Sequence, residues 1–146
     1  MHKTQLRLMQ LEDYDAVLAL WQDSSGMTLR EADSRQNIGA YLAKNPGLSF
    51  VVEADGQLLG AVLVGTDGRR GYLQHLAVRP SAQGRGVGRT LVQAAIDALA
   101  DQGIAKTHLF VHTDNPSAQA FYDRLGWHPR DEVRMFSFNA SSRPDI

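Results

Sequence analysis

Arg79-Pro80-Ser81-Ala82-Gln83-Gly84-Arg85-Gly86-Val87-Gly88-Arg89-Thr90, residues 79–90, joins an apolar run ending Leu76-Ala77-Val78 to the most regular helical pattern in the chain. Three glycines in five positions free the backbone for unusual dihedrals and for close approach to a ligand. Downstream, the spacing predicts a helix over 88–102. Leu91, Val92, Ala95, Ile96 and Leu99 form one apolar stripe, Arg89, Gln93, Asp97 and Asp101 form a polar one, and Gly103 supplies the stop. A loop of this kind feeding a helix start carries free N–H groups and the positive end of the helix dipole, which suits an anion. It would serve equally as a tight turn with no ligand. Spacing excludes two phosphate motifs. A dinucleotide fingerprint needs glycine at 89 or 91, where Arg89 and Leu91 stand, and a Walker loop fails at Gln83 and Arg89.

Outward from the loop, the chain alternates between strand and helix periods. Gln5 to Met9 alternates as a short strand, and Leu11, Tyr14, Val17, Leu18 and Trp21 recur at helical spacing. A polar turn over Gln22–Gly26 and an irregular stretch follow. A helical face through Ile38, Tyr41 and Leu42 then ends before Asn45-Pro46-Gly47. Leu48–Ala54 and Gln57–Thr66 are strand-like runs joined by Asp55-Gly56, a two-residue hairpin signal. Tyr72–Val78 and Lys106–Val111 read as strands. Asn115-Pro116 reads as the cap and first residue of a helix bearing Ala118, Phe121, Tyr122 and Leu125 on one face. Gly126 ends that helix, and Trp127 to Phe138 fits two further short strands. The outline is α/β, with helices on a mixed sheet.

Composition is consistent with one domain. The 146 residues are 43% hydrophobic and 21% charged, ordinary globular usage. Fifteen basic against sixteen acidic residues give a net charge of −1, which argues against a dedicated nucleic-acid binder. With no cysteine, disulfides, thiolate metal sites and a sulfur nucleophile are excluded. The start MHKTQLRLMQ has no apolar core of a signal, and no apolar run reaches membrane-spanning length. The expectation is a soluble cytoplasmic protein with one domain over 1–138 and a frayed tail over 139–146.

Gln83, Gly86 and Gly88 make a Q-x-x-G-x-G pattern after the strand ending at Val78. With it, the sequence resembles the GCN5-related N-acetyltransferase (GNAT) superfamily, whose corresponding loop cradles the pyrophosphate of acetyl-CoA. A second match lies further on. Asn115, Ala118, Phe121, Tyr122, Leu125, Gly126 and Trp127 form N-x-x-A-x-x-F-Y-x-x-L-G-W, similar to the superfamily's later CoA-binding helix. The resemblance covers roughly Gln5 to Phe138, most strongly Leu73 to Trp127. The stretch Gly65–Tyr72 looks like that of a bacterial branch with poorly defined acceptors. The implied fold is a single α/β (α+β) domain: a mainly antiparallel central sheet splayed after the fourth strand, with helices on both faces.

The resemblance implies roles residue by residue. Backbone groups in Leu76-Ala77-Val78 would pair with the pantetheine arm as an added strand does. N–H groups over Gln83, Gly84, Arg85, Gly86, Val87, Gly88 and Arg89 would hold the pyrophosphate; Arg85 and Arg89 either add charge or stay solvated. Asn115 would contact the cofactor arm or serve only as a helix cap. Tyr122 is the catalytic candidate, since a phenol can donate a proton or hydrogen bond to the leaving thiolate; otherwise it packs in the core with Phe121. The Val78 N–H is an oxyanion donor candidate.

The base departs from the superfamily pattern. Where a Glu or His often stands, this chain has Gln74, Tyr72 and Phe110. His112, expected to share a strand face with Phe110, is the side-chain alternative, against a structural or solvent-facing reading. His75, of opposite parity to Tyr72 and Gln74, is left off the active face. Holding a lysine amine (pKa ~10.4) neutral at pH 7 costs about 4.6 kcal/mol, an α-amine near 8 only about 1.4 kcal/mol, so a site without a strong base leans towards the latter or towards ordered water. His108 and His112 do not make a metal pair, because on a strand they would lie ~13 Å apart. The expected activity is acetyl transfer from acetyl-CoA to the primary amine of a small molecule or peptide, directly in a ternary complex. No metal, nucleic acid or membrane is expected to take part, and the protein would be a monomer or homodimer. The rivals are a non-catalytic acyl-CoA-binding module and a transferase with another acyl donor or an oxygen acceptor.

Overall fold

β1 (Gln5–Leu8), β2 (Phe50–Ala54), β3 (Gln57–Thr66) and β4 (Gly71–Val78) pair antiparallel in chain order, and β5 (Thr107–Leu109) joins β4 in parallel. The structure is a computed structural model describing residues 3–24 and 26–146; Met1 and His2, at the chain start, and Ser25, in the predicted polar turn, lie outside the described residues. α1 (Tyr14–Gln22) and α2 (Arg35–Lys44) cover one face, and α3 (Val87–Asp101) and α4 (Pro116–Arg124) the other. This is the expected α/β architecture, with a mainly antiparallel sheet between helices. Among the described residues, no helix is long and apolar enough to cross a membrane.

β3 is the central strand. Leu58 to Gly65 are buried without a break, as a strand covered on both faces requires. Val62 and Val64 pack under α3, while Ala61 and Leu63 pack under α1 with Val17, Leu20 and Trp21. The β2–β3 hairpin turns on Asp55 and Gly56, both at positive φ (53° and 74°), as a two-residue primed turn demands. Ser34 caps α2, its hydroxyl accepting from the Asn37 N–H at 3.2 Å.

Two features of β4 open the sheet. β5 pairs with it only at Gly71↔Thr107, Tyr72↔His108 and Leu73↔Leu109. Immediately beyond, β4 carries one residue more than β3, since Leu63↔Gln74 is followed by Ala61↔Ala77. The extra residue makes a β-bulge, and His75 sits in it at φ 51°. A bulge bends its strand and sharpens the local twist, so β4 curves away and β5 ends two residues short of its predicted reach to Val111. The expected splay after the fourth strand is present.

The two strands predicted over Trp127–Phe138 do not form. After Gly126, at φ 91°, the chain runs without helix or strand, and Phe136 and Phe138 are 89% and 92% exposed. Alternation makes a strand only beside an edge to pair with, and a three-residue β5 offers little. In the last residues, Arg143 pairs with Glu31 at 2.5 Å.

Gly60 positions the functional end of α3. A Cβ there would meet Val87 Cγ1 at 2.8 Å and Leu91 Cδ1 at 3.0 Å, so the first turns of α3 rest directly on β3. Gly60→Ala is expected to lower Tm by roughly 3–9 °C through overpacking. Gly39→Ala, inside α2 with only ordinary contacts around the added methyl, should leave Tm unchanged or raise it. Thermal unfolding followed by circular dichroism checks both.

Candidate functional site

Beyond Leu73, β4 presents an edge that no strand covers. The Arg79 N–H donates to the Leu59 carbonyl at 2.7 Å, which fixes the alternation: Arg79 and Ala77 turn their amides to β3. Val78 and Leu76 therefore turn theirs to the opening. The Val78 carbonyl accepts from Gln83 Nε2 at 3.2 Å, so this glutamine folds its loop back on the strand end. Ala77 lends the opening no polar group; its amide faces β3 and its methyl is buried beneath α1.

The glycine loop then turns into α3. A single helical turn at Pro80–Ala82 closes with the Ala82 N–H on the Arg79 carbonyl at 2.8 Å. Gly84 and Gly86 follow at φ 77° and 82°, with open space where a side chain would stand. Gly86 is the N-cap of α3 and has no side chain to cap it. The first helical bond runs from the Thr90 N–H to the Gly86 carbonyl at 3.0 Å, which leaves the N–H groups of Val87, Gly88 and Arg89 without a capping side chain. Together with the dipole of a fifteen-residue helix, they form an anion cradle beside the open edge of β4.

Gly88 does a different job from its neighbours. A Cβ on it would meet the Phe121 ring at 3.2 Å, and Val78 lies 3.6 Å away, so it lets α4 dock against the first turn of α3. Asn115 caps α4, its Oδ1 accepting from the Ala118 N–H at 3.1 Å. Its Nδ2 lies 3.1 Å from the Cβ position of Gly26, in the loop after α1. Asn115 thus touches the α1–α2 side of the sheet while standing at the head of α4. Tyr122 packs edge-on between Phe121 and Trp127, at ring separations of 5.0 and 5.7 Å. Burial pushes its phenol up to about 12, and its hydroxyl has no hydrogen-bond partner among the described residues. It holds its proton at neutral pH and is a free donor.

His112 lies past the end of β5, exposed in the turn before α4, with only its carbonyl engaged, by Asn115 and Gln119. The strand face it was expected to share with Phe110 is not formed. Arg85 and Arg89 are exposed. Arg89 also borders a cavity of about 820 Å³ between α3, β5 and the end of α4, with Lys106, Arg124, Trp127, His128 and Arg130. Sequence reasoning missed this basic hollow, because its cations are scattered over some forty positions and share no motif. Among the described residues, no group of three or more His, Asp or Glu is gathered where a metal could be held.

The placement of His75 corrects the parity reading. The bulge resets the alternation, so His75 falls on the α1–α2 face with Tyr72 and Gln74 rather than opposite them. There its Nε2 meets Asp33 Oδ1 at 2.8 Å and its ring tilts against Trp21 at 4.9 Å.

A family model described as the acetyltransferase (GNAT) family matches residues 14–127. An acetyltransferase of Pectobacterium atrosepticum is 32% identical over 132 residues, 90% of this chain and 92% of that one. Among solved structures, an N-acetyltransferase from Thermoplasma acidophilum in complex with coenzyme A superposes with a TM-score of 0.80 at 20% identity, over 88% of this chain and 92% of that one. An aminoglycoside N-acetyltransferase in complex with CoA gives 0.78 at 19%, over 96% and 97%. At these identities the two structures speak to the fold.

Burial also pushes Tyr41 up to about 12. Unfolded tyrosines ionise near 10, so the stability tied to these two neutral phenols is full below pH ~10 and is lost as pH rises through ~12. Denaturant unfolding at pH 8 and pH 11 should show that loss in the wild type and a smaller one in Tyr122→Phe.

Proposed function

The chain belongs to the acetyltransferase (GNAT) family, and we propose that it moves an acetyl group from acetyl-CoA to a primary amine by direct transfer in a ternary complex. The observation that carries this reading is the uncapped α3 terminus beside an open strand edge. A diphosphate suits the first, because successive main-chain N–H groups and the helix dipole both favour a dianion there. An amide-bearing arm suits the second, because Leu76 and Val78 offer it the hydrogen bonds a further strand would take. Gln83, Gly84, Arg85, Gly86, Val87 and Arg89 surround the diphosphate in this arrangement, and Asn115 flanks the arm. The basic hollow bordered by Arg89, Lys106 and Arg124 suits the remaining phosphate of the nucleotide end.

The reaction then needs three things of the protein. The thioester carbonyl gains negative charge as the amine attacks, and the Val78 N–H, turned to the opening, is placed to stabilise it. As the C–N bond forms and the C–S bond breaks, the thiolate takes a proton; Tyr122, protonated at neutral pH and otherwise unpartnered, supplies it. With no cysteine in the chain, no acyl-enzyme on sulfur intervenes. The neighbours solved with CoA support acetyl-CoA as donor, and the aminoglycoside enzyme among them supports an amine acceptor.

Calorimetry with acetyl-CoA and thiol release over a panel of amines test the reading. Wild type should bind acetyl-CoA and release thiol with at least one amine. Tyr122→Phe should lower kcat by ~10²-fold or more with Kd for acetyl-CoA within about twofold. Gly86→Ala forces a Cβ into the left-handed region, at about 1–2 kcal/mol, and should weaken acetyl-CoA binding by roughly tenfold. No acetyl-CoA binding by the wild type, or full turnover by Tyr122→Phe, overturns the proposal.

A further inference from the structure

We propose that His75, oriented by Asp33, is the general base that takes the proton from the incoming amine, an assignment that rests on the acetyltransferase reading of the open edge.

His75 is one of only two non-glycine residues at positive φ among those described, the other being Asp55 in the hairpin turn. Asp55 has an ordinary reason to be there; a histidine in the middle of a strand does not. Strained backbone and bulges both gather where a side chain must be aimed. The bulge aims this imidazole at a built support. Asp33 Oδ1 meets Nε2 at 2.8 Å, and Asp33 is itself held twice: its Oδ2 accepts from the Arg30 N–H at 3.0 Å and its carbonyl accepts from the Tyr14 hydroxyl at 2.7 Å. The indole of Trp21, fully buried and with its N–H unpartnered, lies against the ring.

This support sets the chemistry of the ring. A carboxylate on Nε2 takes the Nε2–H, so the lone pair sits on Nδ1, and Nδ1 has no hydrogen-bond partner among the described residues. The Asp33 side chain is 11% exposed and that of His75 20%, so the orienting carboxylate is shut in while the imidazole keeps contact with the exterior. Placement follows from register. His75 lies two residues beyond the last β4–β5 pair, Leu73↔Leu109, and one before Leu76, whose amide faces the opening. Its side chain is on the α1–α2 face, opposite the α3 cradle. An amine approaching from that face reaches the open edge from the side away from the cofactor loop.

The step balances without any further reagent. The ammonium group gives a proton to Nδ1, directly or through one water, and the imidazolium is stabilised by Asp33. The neutral amine forms the C–N bond at the thioester carbon; as the C–S bond breaks, the thiolate is protonated by Tyr122 and the nitrogen sheds its second proton to water, which returns one to the phenol. The imidazolium then loses its proton to solvent.

The titratable groups facing the imidazole are Asp33, before α2, and through the Asp33 carbonyl Tyr14, on α1; β3 carries no charged side chain. Two measurements test the assignment. Histidine ¹⁵N NMR of the wild type, with His75→Gln to identify the signal, should show the Nε2-protonated form and a shift of Nδ1 when acetyl-CoA is added to saturation. Thiol release with the fastest amine of the panel should fall by ~10²-fold or more in kcat/KM for His75→Gln, with the acidic limb of the pH profile abolished and acetyl-CoA Kd within about twofold. Asp33→Asn should lower kcat rather than raise KM for the amine, with acetyl-CoA Kd within about twofold. If His75→Gln lowers Tm while rate and limb stay intact, the pair is structural and the proposal is overturned. An Nδ1 signal that does not move with acetyl-CoA bound overturns it too, whether or not any amine of the panel turns over. Failure of the wild type to bind acetyl-CoA overturns the acetyltransferase reading itself, and is told apart by the calorimetry.

Discussion

One residue too many in β4 shapes the whole functional half of the molecule. A parallel neighbour can follow a strand only while the two share a twist, and the insertion at His75 ends that agreement two residues after Leu73↔Leu109. Past this point, hydrogen-bonding groups of β4 that a complete sheet would have satisfied face outward. Exposed unpaired edges are normally blunted by charge or proline because they invite other chains. Here Leu76 and Val78 stand on the edge, and the Gln83 amide occupies one carbonyl. The edge persists because the strand below it is anchored by β3, which is buried on both faces.

The second constraint is close approach. A methyl at residue 60 would press the first turns of α3 off β3, and one at residue 88 would make the Phe121 ring of α4 give way by a few tenths of an ångström. Both glycines act by absence of volume. Gly84 and Gly86 act by handedness, since both take positive φ in open surroundings. The glycines of one short motif therefore divide between shaping the loop and letting two helices meet, a division that spacing alone does not reveal.

Much of this was legible in the sequence. β3 matches its predicted range, and β1, β2, β4, α3 and α4 lie within a few residues of theirs, because each has a clean period and a chemical stop: Asp55-Gly56, Gly103, Asn115-Pro116. The glycine loop lies where its spacing puts it, between the end of β4 and the start of α3. What was not legible shares one cause, dependence on a neighbour. The parity argument for His75 failed because a bulge has no local signature in Gln74-His75-Leu76. β5 stops early because β4 bends, and Trp127–Phe138 forms no strand because β5 offers it almost no edge. The basic hollow beside Arg89 is assembled from three elements, and Asp33 meets His75 across forty-two positions of sequence. Tertiary pairings of that kind leave no mark on periodicity.

The order of strands has a kinetic side. From β1 to β4 each strand lies beside its predecessor in the sheet, and β2 to β4 are joined by short turns, whereas β5 reaches the sheet only after the chain has crossed over through α3. Short hairpin closures are fast and long crossovers are slow. A nascent chain could zip residues 50–78 into a ribbon while everything after α3 is still being synthesised. The groove assigned to the thioester is then the last part of the molecule to take shape, and the first that a protease would find during a transient opening.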